Sequence, residues 1–444
     1  MVLAACAPVQ QSDTASRALA MDSELPPMKT FAARSPARPS MANADIARDF
    51  LDLSFQMESG RQLERFTRFE GPISLRVTGQ PPKTLRGDLD QLLVRLRREA
   101  GIDIVETRQP GASITVEAVP SRAIQSVLPQ AACFVAPNVS SLQEFRSARR
   151  SPRTNWATLY EREKIAIFVP SDASPQEIRD CLHEELAQAL GPLNDLYHLP
   201  NSVFNDDNVH TVLTGFDMLI LRITYDPALL SGMSRADVTS RLPDILARIN
   251  PSGNRPGKGP VSPTPLGYVQ AIQTALGPGA SMSDRRTAAD EALRIAVSRG
   301  WTDNRRAFAH YAKGRLLQTT SSVAAQDQFL LADRFYANSP DTKVHRAYVA
   351  TQLSAYALSQ GDPAKAERIA RAHIKSAEKL QNAALLATLQ LLRAESLEAL
   401  GRGSEAQRVR ADTLGWARYG FGADWVVESK LREITALNPS SPPV

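Results

Sequence analysis

The stretch CLHEELAQALGPLND, residues 181–195, decides how the first half of this chain folds. Its apolar residues continue a stripe with a spacing of four, which predicts an amphipathic helix with one face packed inward. The helix is expected to begin after Ser174 and to end at Gly191. Glu184 and Gln188 fall one turn apart on the opposite face, which is therefore free for chemistry. The predicted inward stripe is Ile178, Leu182, Leu186 and Leu190.

The polar residues of this helix have the spacing of a zinc-protease helix. A metzincin site uses H-E-x-x-H-x-x-G-x-x-H, in which three histidines hold zinc and the glutamate is the general base. This sequence resembles that pattern without its histidines. Glu184, Gln188 and Asn194 stand at the three ligand positions, Glu185 stands at the base, and Gly191 matches the glycine.

The replaced ligands predict a loss of zinc chemistry. Carboxylate and amide oxygens hold zinc poorly and suit hard cations better. We therefore expect no metal and no cofactor, and a polar cluster that joins the helix to the following loop. Two alternatives remain open. One is a hard divalent cation held by Glu184, Gln188 and Asn194 or Asp195. The other is an active, peptidase-like metal-dependent hydrolase with Glu185 as its general base.

Three of the six histidines, His183, His198 and His210, lie within 28 residues of sequence. Their separations of 15 and 12 match no common metal-ligand spacing. We expect exposed or helix-capping side chains, although a cluster formed by folding remains an alternative.

The surrounding pattern predicts an α+β fold. Residues 44–250 mix amphipathic helices with short alternating strands, as in a metzincin-like (zincin-like) mixed α/β domain. Residues 251–265 read as a Pro/Gly-rich linker. Residues 266–437 predict an all-α helical-repeat domain, and residues 438–444 a disordered tail.

Two turns support the helical repeat. Gly361 and Gly401 lie forty residues apart, and each is expected to end one helix and to open a turn into the next. The pattern resembles tetratricopeptide-type hairpins, and an irregular helical bundle is the alternative. Stacked helix pairs leave a concave face, so we expect a protein or peptide partner there.

The N-terminal sequence MVLAACAP places small and apolar residues directly before Cys6. This resembles a bacterial lipobox, so residues 1–6 read as the remnant of a lipoprotein signal. Residues 7–43, rich in Ala, Ser and Pro, predict a disordered tether. We expect attachment to a membrane through a lipid on Cys6 and a periplasmic location in a Gram-negative bacterium.

The remaining cysteines, Cys133 and Cys181, would be exposed to an oxidising compartment after export, where a disulfide is expected. Two separate buried thiols are the alternative. A net charge of +5 from 52 basic and 47 acidic residues is a near balance, which argues against a nucleic-acid partner. The arginines of residues 146–153 are expected to form a solvated loop.

Taken together, EELAQALGPLND behind Cys181, FNDD and YDPALLSGM are similar to a family of proteobacterial putative lipoproteins, the domain of unknown function numbered 2927. The resemblance covers roughly residues 44–250. It implies an envelope location and pairing of Cys133 with Cys181, and it carries no established activity. We predict a catalytically silent scaffold that binds protein or cell-wall partners.

Overall fold

The computed structural model of this chain describes residues 25–32, 36–205 and 207–439. The predicted lipidation site at Cys6, residues 7–24 of the predicted tether and residues 440–444 of the predicted tail lie outside this part. Within it, a mixed α/β region precedes a largely helical region, so the α+β fold class is confirmed.

The mixed region contains the helices and strands that its sequence periodicity predicts. Three short elements, strand β4 and helices α3 and α4, were missed, because four to seven residues are too few to show a clear period. Its elements are α1 (Asn43–Ser54), β1 (Ile73–Gly79), α2 (Lys83–Arg95), β2 (Ile104–Glu106), β3 (Ile114–Val119), α3 (Ser121–Gln125), β4 (Phe134–Pro137), α4 (Leu142–Ala148), β5 (Ile165–Pro170), α5 (Pro175–Leu190), α6 (Gly215–Thr224) and α7 (Arg235–Ile249).

The five strands form one sheet in the order β2-β1-β3-β5-β4. Strands β1, β2, β3 and β5 run parallel, and β4 pairs antiparallel to β5. Every residue of β5 is buried, because β5 is paired on both sides and covered by helices. Strand β4 is therefore an edge strand.

Helix α5 packs against the sheet at β5 and β4. The predicted stripe is at most 1% exposed at each of its four positions, as its spacing requires. The side-chain oxygen of Ser174 accepts a hydrogen bond from the Glu177 N–H and so caps the first turn. The last helical residue is Leu190, directly before Gly191, so the predicted boundaries are confirmed.

The second region begins at Leu266, after a mostly exposed connection over residues 254–265. Its helices are α8 (Leu266–Leu276), α9 (Met282–Ser298), α10 (Asn304–Leu317), α11 (Ser322–Ala337), α12 (Lys343–Ser359), α13 (Pro363–Lys379), α14 (Ala383–Ala399), α15 (Gly403–Phe421) and α16 (Asp424–Thr435). Consecutive helices pack against each other along the chain.

The two predicted turn glycines do what the sequence indicates. Gly361 lies between α12 and α13 with φ 77°, and Gly401 lies between α14 and α15 with φ 74°. A left-handed backbone at this position favours glycine over any residue with a Cβ.

The two regions pack together through α5 and α15. The Gln176 amide lies 3.1 Å from Oδ1 of Asn382, and both side chains are buried. The hydroxyl of Tyr419 donates to Asp88 over 2.9 Å. These polar contacts are specific, so the helical region holds one orientation against the mixed domain.

Part of the predicted tether is packed, which corrects that prediction for its described residues. The ring of Phe31 stacks on Trp416 with centroids 4.4 Å apart, and the Lys29 N–H donates to the Gly415 carbonyl. Gly415 permits this approach, because a Cβ there would lie 2.9 Å from the Pro27 carbonyl oxygen. Residues 25–32 thus form a strap on α15. No helix in the described ranges is long and apolar enough to cross a bilayer.

Candidate functional site

A cleft of about 1280 Å³ lies between the mixed domain and the helical region. Residues 128–135 form one wall, and the last two of them are the first two residues of β4. The polar face of α5 contributes Glu184, Glu185 and Gln188. Side chains of the helical region line the same cleft, among them Phe308, Tyr311, Tyr336 and Tyr348. A concave, largely apolar surface with a few polar groups is typical of a ligand site.

Arg162 fixes the end of α5 that carries Gln188. Its guanidinium donates to the carbonyls of Gln188 at 2.6 Å, Ala189 at 2.8 Å and Gly191. These are the carbonyls that a helix C-terminus leaves without partners, and a cation there also opposes the helix dipole. Burial lowers the pKa of Arg162 to about 10, so it remains a cation at neutral pH.

Trp156 covers the same guanidinium, with its ring centroid 5.1 Å from the Arg162 carbon. Trp156 also lines the cleft. Arg162, which is 2% exposed, therefore contacts two parts of the cleft lining: the end of α5 that carries Gln188, and Trp156.

One end of the cleft is acidic. Glu58 and Glu184 line it beside Glu185, which is only 5% exposed. Burial, and then the negative charges of Glu184 and Glu58, raise the pKa of Glu185 well above its usual value. The Oε2 atom of Glu185 has no hydrogen-bond partner among the described residues. A buried polar atom without a hydrogen-bond partner destabilises the fold unless a bound molecule supplies the missing hydrogen bond.

Glu58, in the turn after α1, lines the cleft although nothing in the sequence indicates that it belongs to the site. Its backbone N–H donates to the Leu193 carbonyl at 3.2 Å, and its Oε1 lies 3.5 Å from the Gln188 amide nitrogen. No periodicity or motif links Glu58 to Gln188, which is 130 residues later, so only the folded chain brings them together.

The three degenerate ligand positions do not share one role. Glu184 and Gln188 face the cleft, whereas the Asn194 amide donates to the Asp52 carbonyl at 3.0 Å and so ties the loop to the end of α1. Among the described residues, no group of three or more His, Cys, Asp or Glu side chains is arranged to hold a metal ion.

Cys133 and Cys181 form a disulfide, as the export argument and the family resemblance both predict. The bond joins the residue before β4 to the second turn of α5. It therefore fixes one wall of the cleft to its floor, and Cys133 itself lines the cleft.

The position of His183 contradicts the prediction that these histidines are exposed or helix-capping. His183 is neither exposed nor a helix cap: it is 5% exposed, and its Nδ1 accepts a hydrogen bond from the Leu213 N–H at 3.2 Å. Burial, with nearby Arg95 and Arg179, lowers the pKa of His183 well below its usual value. His198 contacts Asp49 and His210 contacts the Pro200 carbonyl, so the three rings form no cluster.

His345 is a cleft residue that the sequence did not indicate. It comes from α12, and its Nε2 lies 2.9 Å from Oδ2 of Asp207 in the mixed domain. His210 stacks edge-on against it, with ring centroids 6.0 Å apart. Asp207 is 138 residues away in sequence, so no local pattern reveals the pair.

The arginines of residues 146–153 mostly bind their own loops. Arg146 donates to the Ser126 hydroxyl, Arg149 to the Val127 carbonyl and Arg153 to the Asn138 carbonyl. Their contacts position the chain around α3 and α4.

With the sheet, the paired cysteines and the polar face of α5 in place, the mixed domain can be compared with known families. Residues 43–244 match the family described as a protein of unknown function, DUF2927. The match confirms the family that the sequence resembles, and the matched residues run from α1 into α7. No curated protein and no solved structure matches this chain significantly.

Proposed function

We propose that this protein is a lipid-anchored cell-envelope binding module. Its DUF2927 domain would be a catalytically silent, metzincin-like scaffold that holds an extended peptide segment of a protein or cell-wall partner in the cleft. The observation that carries the proposal is the position of β4, an edge strand whose approach forms one wall of that cleft.

Strand β4 suits peptide binding for a physical reason. Among the described residues it pairs with β5 alone, so an added strand would pair with its outer edge. Addition of a peptide to a sheet edge supplies main-chain hydrogen bonds, and neighbouring pockets read alternate side chains. Phe134 and Val135 line the cleft at this strand, and tyrosines from the helical region line the same cleft.

Chemical silence is supported by the state of Glu185. A carboxyl group whose pKa is raised well above its usual value by burial binds its proton tightly and is a weak general base near neutral pH. Asn194 is also engaged with the Asp52 carbonyl instead of the cleft. Both features disfavour a metal-dependent hydrolase that uses Glu185.

Peptide display tests the binding role. We expect a random-peptide phage library, panned on the purified protein, to yield extended sequences that bind it. Ala132→Trp would fill the cleft at an exposed lining residue, and we expect synthetic copies of these peptides to bind this variant about tenfold more weakly. Ala236→Trp, on the exposed side of α7, is the matched control and should bind like the unmodified protein. Peptides that bind both variants equally would place binding outside the cleft.

The hydrolase alternative has its own test. Elemental analysis of protein purified without chelators, together with a fluorogenic peptide screen, should show no stoichiometric metal and no turnover. A bound metal with peptidase activity that Glu185→Gln abolishes would replace the silent scaffold with an enzyme.

The envelope location rests on the lipobox-like start and agrees with a disulfide of the kind formed in oxidising compartments. Mass spectrometry of the native protein should find an acylated Cys6 at the mature N-terminus. A mature protein with an unmodified Cys6 would remove the membrane anchor from the proposal.

A further inference from the structure

The acidic end of the cleft has a feature that the peptide-binding role does not yet use. Glu185 lies on α5 at the base of the cleft, and 95% of its surface is covered, since only 5% is exposed. Its Oε1 and Oε2 are not equivalent, because Oε2 is buried without a hydrogen-bond partner in the part of the chain that the structure describes. A buried carboxylate oxygen without a partner is rare in folded proteins and points to a missing donor.

The charges around Glu185 indicate what kind of donor is missing. Glu184 and Glu58 are the charged groups that act on it most strongly, and both repel its ionised form. The amide nitrogen of Gln188, 3.5 Å from Glu58, adds a polar contact but no charge. Arginines that line the cleft, Arg285 and Arg315, come from the helical region instead. This end of the cleft is thus electronegative.

A metal ion fits this end poorly, because the described residues contain no His, Cys, Asp and Glu grouping able to coordinate one. An organic cation needs no such grouping. Ammonium and guanidinium groups donate several hydrogen bonds and need only acceptors and negative charge around them. Their long stems also require apolar surface, and Trp156, Val135 and Leu193 line the same cleft.

On the basis of the proposed peptide-binding role, we propose that the acidic end of the cleft is a specificity pocket for a basic side chain. The ammonium of a lysine or the guanidinium of an arginine in the bound peptide would donate to Glu185 Oε2 and lie between Glu184 and Glu58. Its aliphatic stem would pack on the apolar lining, while the peptide backbone lies along β4.

The test uses peptides recovered by panning and the full-length protein. Each enriched peptide is synthesised with its basic residue, and again with norleucine or citrulline, which remove the charge of lysine or arginine at nearly constant size. Isothermal titration should show a loss of about thirtyfold in affinity for the uncharged peptide, because that peptide has no cation to pair with the Glu185 side chain and to offset the charges of Glu184 and Glu58.

The protein side of the pair is tested with Glu185→Gln, an isosteric change that circular dichroism should show to be folded. We expect about tenfold weaker binding of the basic peptide and no change for its norleucine form, so that the double-mutant cycle isolates the pair. Glu184→Gln should give a smaller loss in the same direction. Glu291→Gln, on an exposed part of α9, is the matched control and should change neither affinity.

The outcomes separate this inference from the proposed function. If no peptide is recovered, the peptide-binding role itself fails. If peptides bind in the cleft but norleucine and Glu185→Gln change affinity by less than twofold, the basic pocket is wrong and the peptide-binding role stands. Calcium chloride alone, titrated under the same conditions, should give no heat; saturable binding that Glu185→Gln abolishes would assign the pocket to a metal instead.

Discussion

The imidazole Nε2 of His345 lies 2.9 Å from Oδ2 of Asp207, and this contact joins the helical region to the mixed domain at one wall of the cleft. Both side chains are buried, with 1% and 8% exposed. Asp207 also accepts hydrogen bonds from the Asn205 amide and the Val209 N–H. The Asp207 carboxylate therefore holds its own loop through Asn205 and Val209, and it also contacts α12 through His345.

Replacement of His345 by alanine should destabilise the protein, because it leaves a cavity and removes one partner of a buried carboxylate. We expect a loss of about 2–3 kcal/mol in the free energy of unfolding, measured by urea denaturation. His373→Ala, at a half-buried position on α13, should cost clearly less. Equal losses for the two variants would contradict a specific role for the His345–Asp207 contact.

Arg162→Lys should also be destabilising, although it keeps the positive charge. An ammonium cannot reach three carbonyls and stack on Trp156 in the way that a planar guanidinium does. We expect a loss of about 2–4 kcal/mol in thermal or chemical unfolding. Arg150→Lys, on the exposed loop before residue 152, should change stability very little. Peptide affinity should fall with the Arg162 variant as well, because Gln188 loses its fixed position.

Asp180 makes stability depend on pH. Burial raises its pKa from 3.8 to about 7, against the opposing effects of Arg179 and Gln176. Between these two values the folded state binds more protons than the unfolded state. The free energy of unfolding should therefore fall as pH rises from about 4 to about 7, and the penalty should be complete above pH 7.

Asp180→Asn should remove that contribution. Because 29% of the Asp180 side chain is exposed, water reduces the penalty, and we expect a gain of about 1–2 kcal/mol at pH 8 and none near pH 4. Denaturation curves at several pH values measure the difference between the two proteins. Asp244→Asn, at an exposed position on α7, should show no such pH-dependent gain.

The local features of the fold were predictable, because their signals lie close together in sequence. In helix α5, the spacing of the apolar residues predicts the buried stripe, and Ser174 and Gly191 predict the two ends. The turns at Gly361 and Gly401 need a left-handed backbone, so glycine marks them. Each of these signals acts within one helix or one turn.

The candidate site was less predictable, because tertiary contacts create it. Glu58 reaches α5 through a loop contact with Leu193, and His345 reaches Asp207 across the two regions. His183 is buried and accepts a hydrogen bond from the Leu213 N–H, thirty residues away in sequence. The pattern of its own helix does not indicate that contact. Phe31 lies in a segment without periodicity, and tertiary packing on Trp416 and under Arg179 gives it its position.

Removal of the disulfide by the double change Cys133→Ala and Cys181→Ala should lower stability by about 4 kcal/mol on the chain-entropy model, since the cysteines are 48 residues apart. Affinity for cleft peptides should fall too, because the bond holds the start of β4 to α5. Urea denaturation of the oxidised protein, the reduced protein and the variant measures the first effect. Reduced protein and variant should agree; unchanged stability in both would show that the covalent link contributes little.

Phe31→Ala should release the strap from α15. The stack of Phe31 on Trp416 supplies its apolar contact, whereas the Lys29–Asp412 ion pair is exposed on both sides and contributes little. The Lys29 amide donates to the Gly415 carbonyl, so its hydrogen-exchange rate reports the attachment. We expect that rate to rise about tenfold in Phe31→Ala and much less in Lys29→Ala. A larger effect of the lysine change would mean that charge, and not aromatic packing, holds the strap in place.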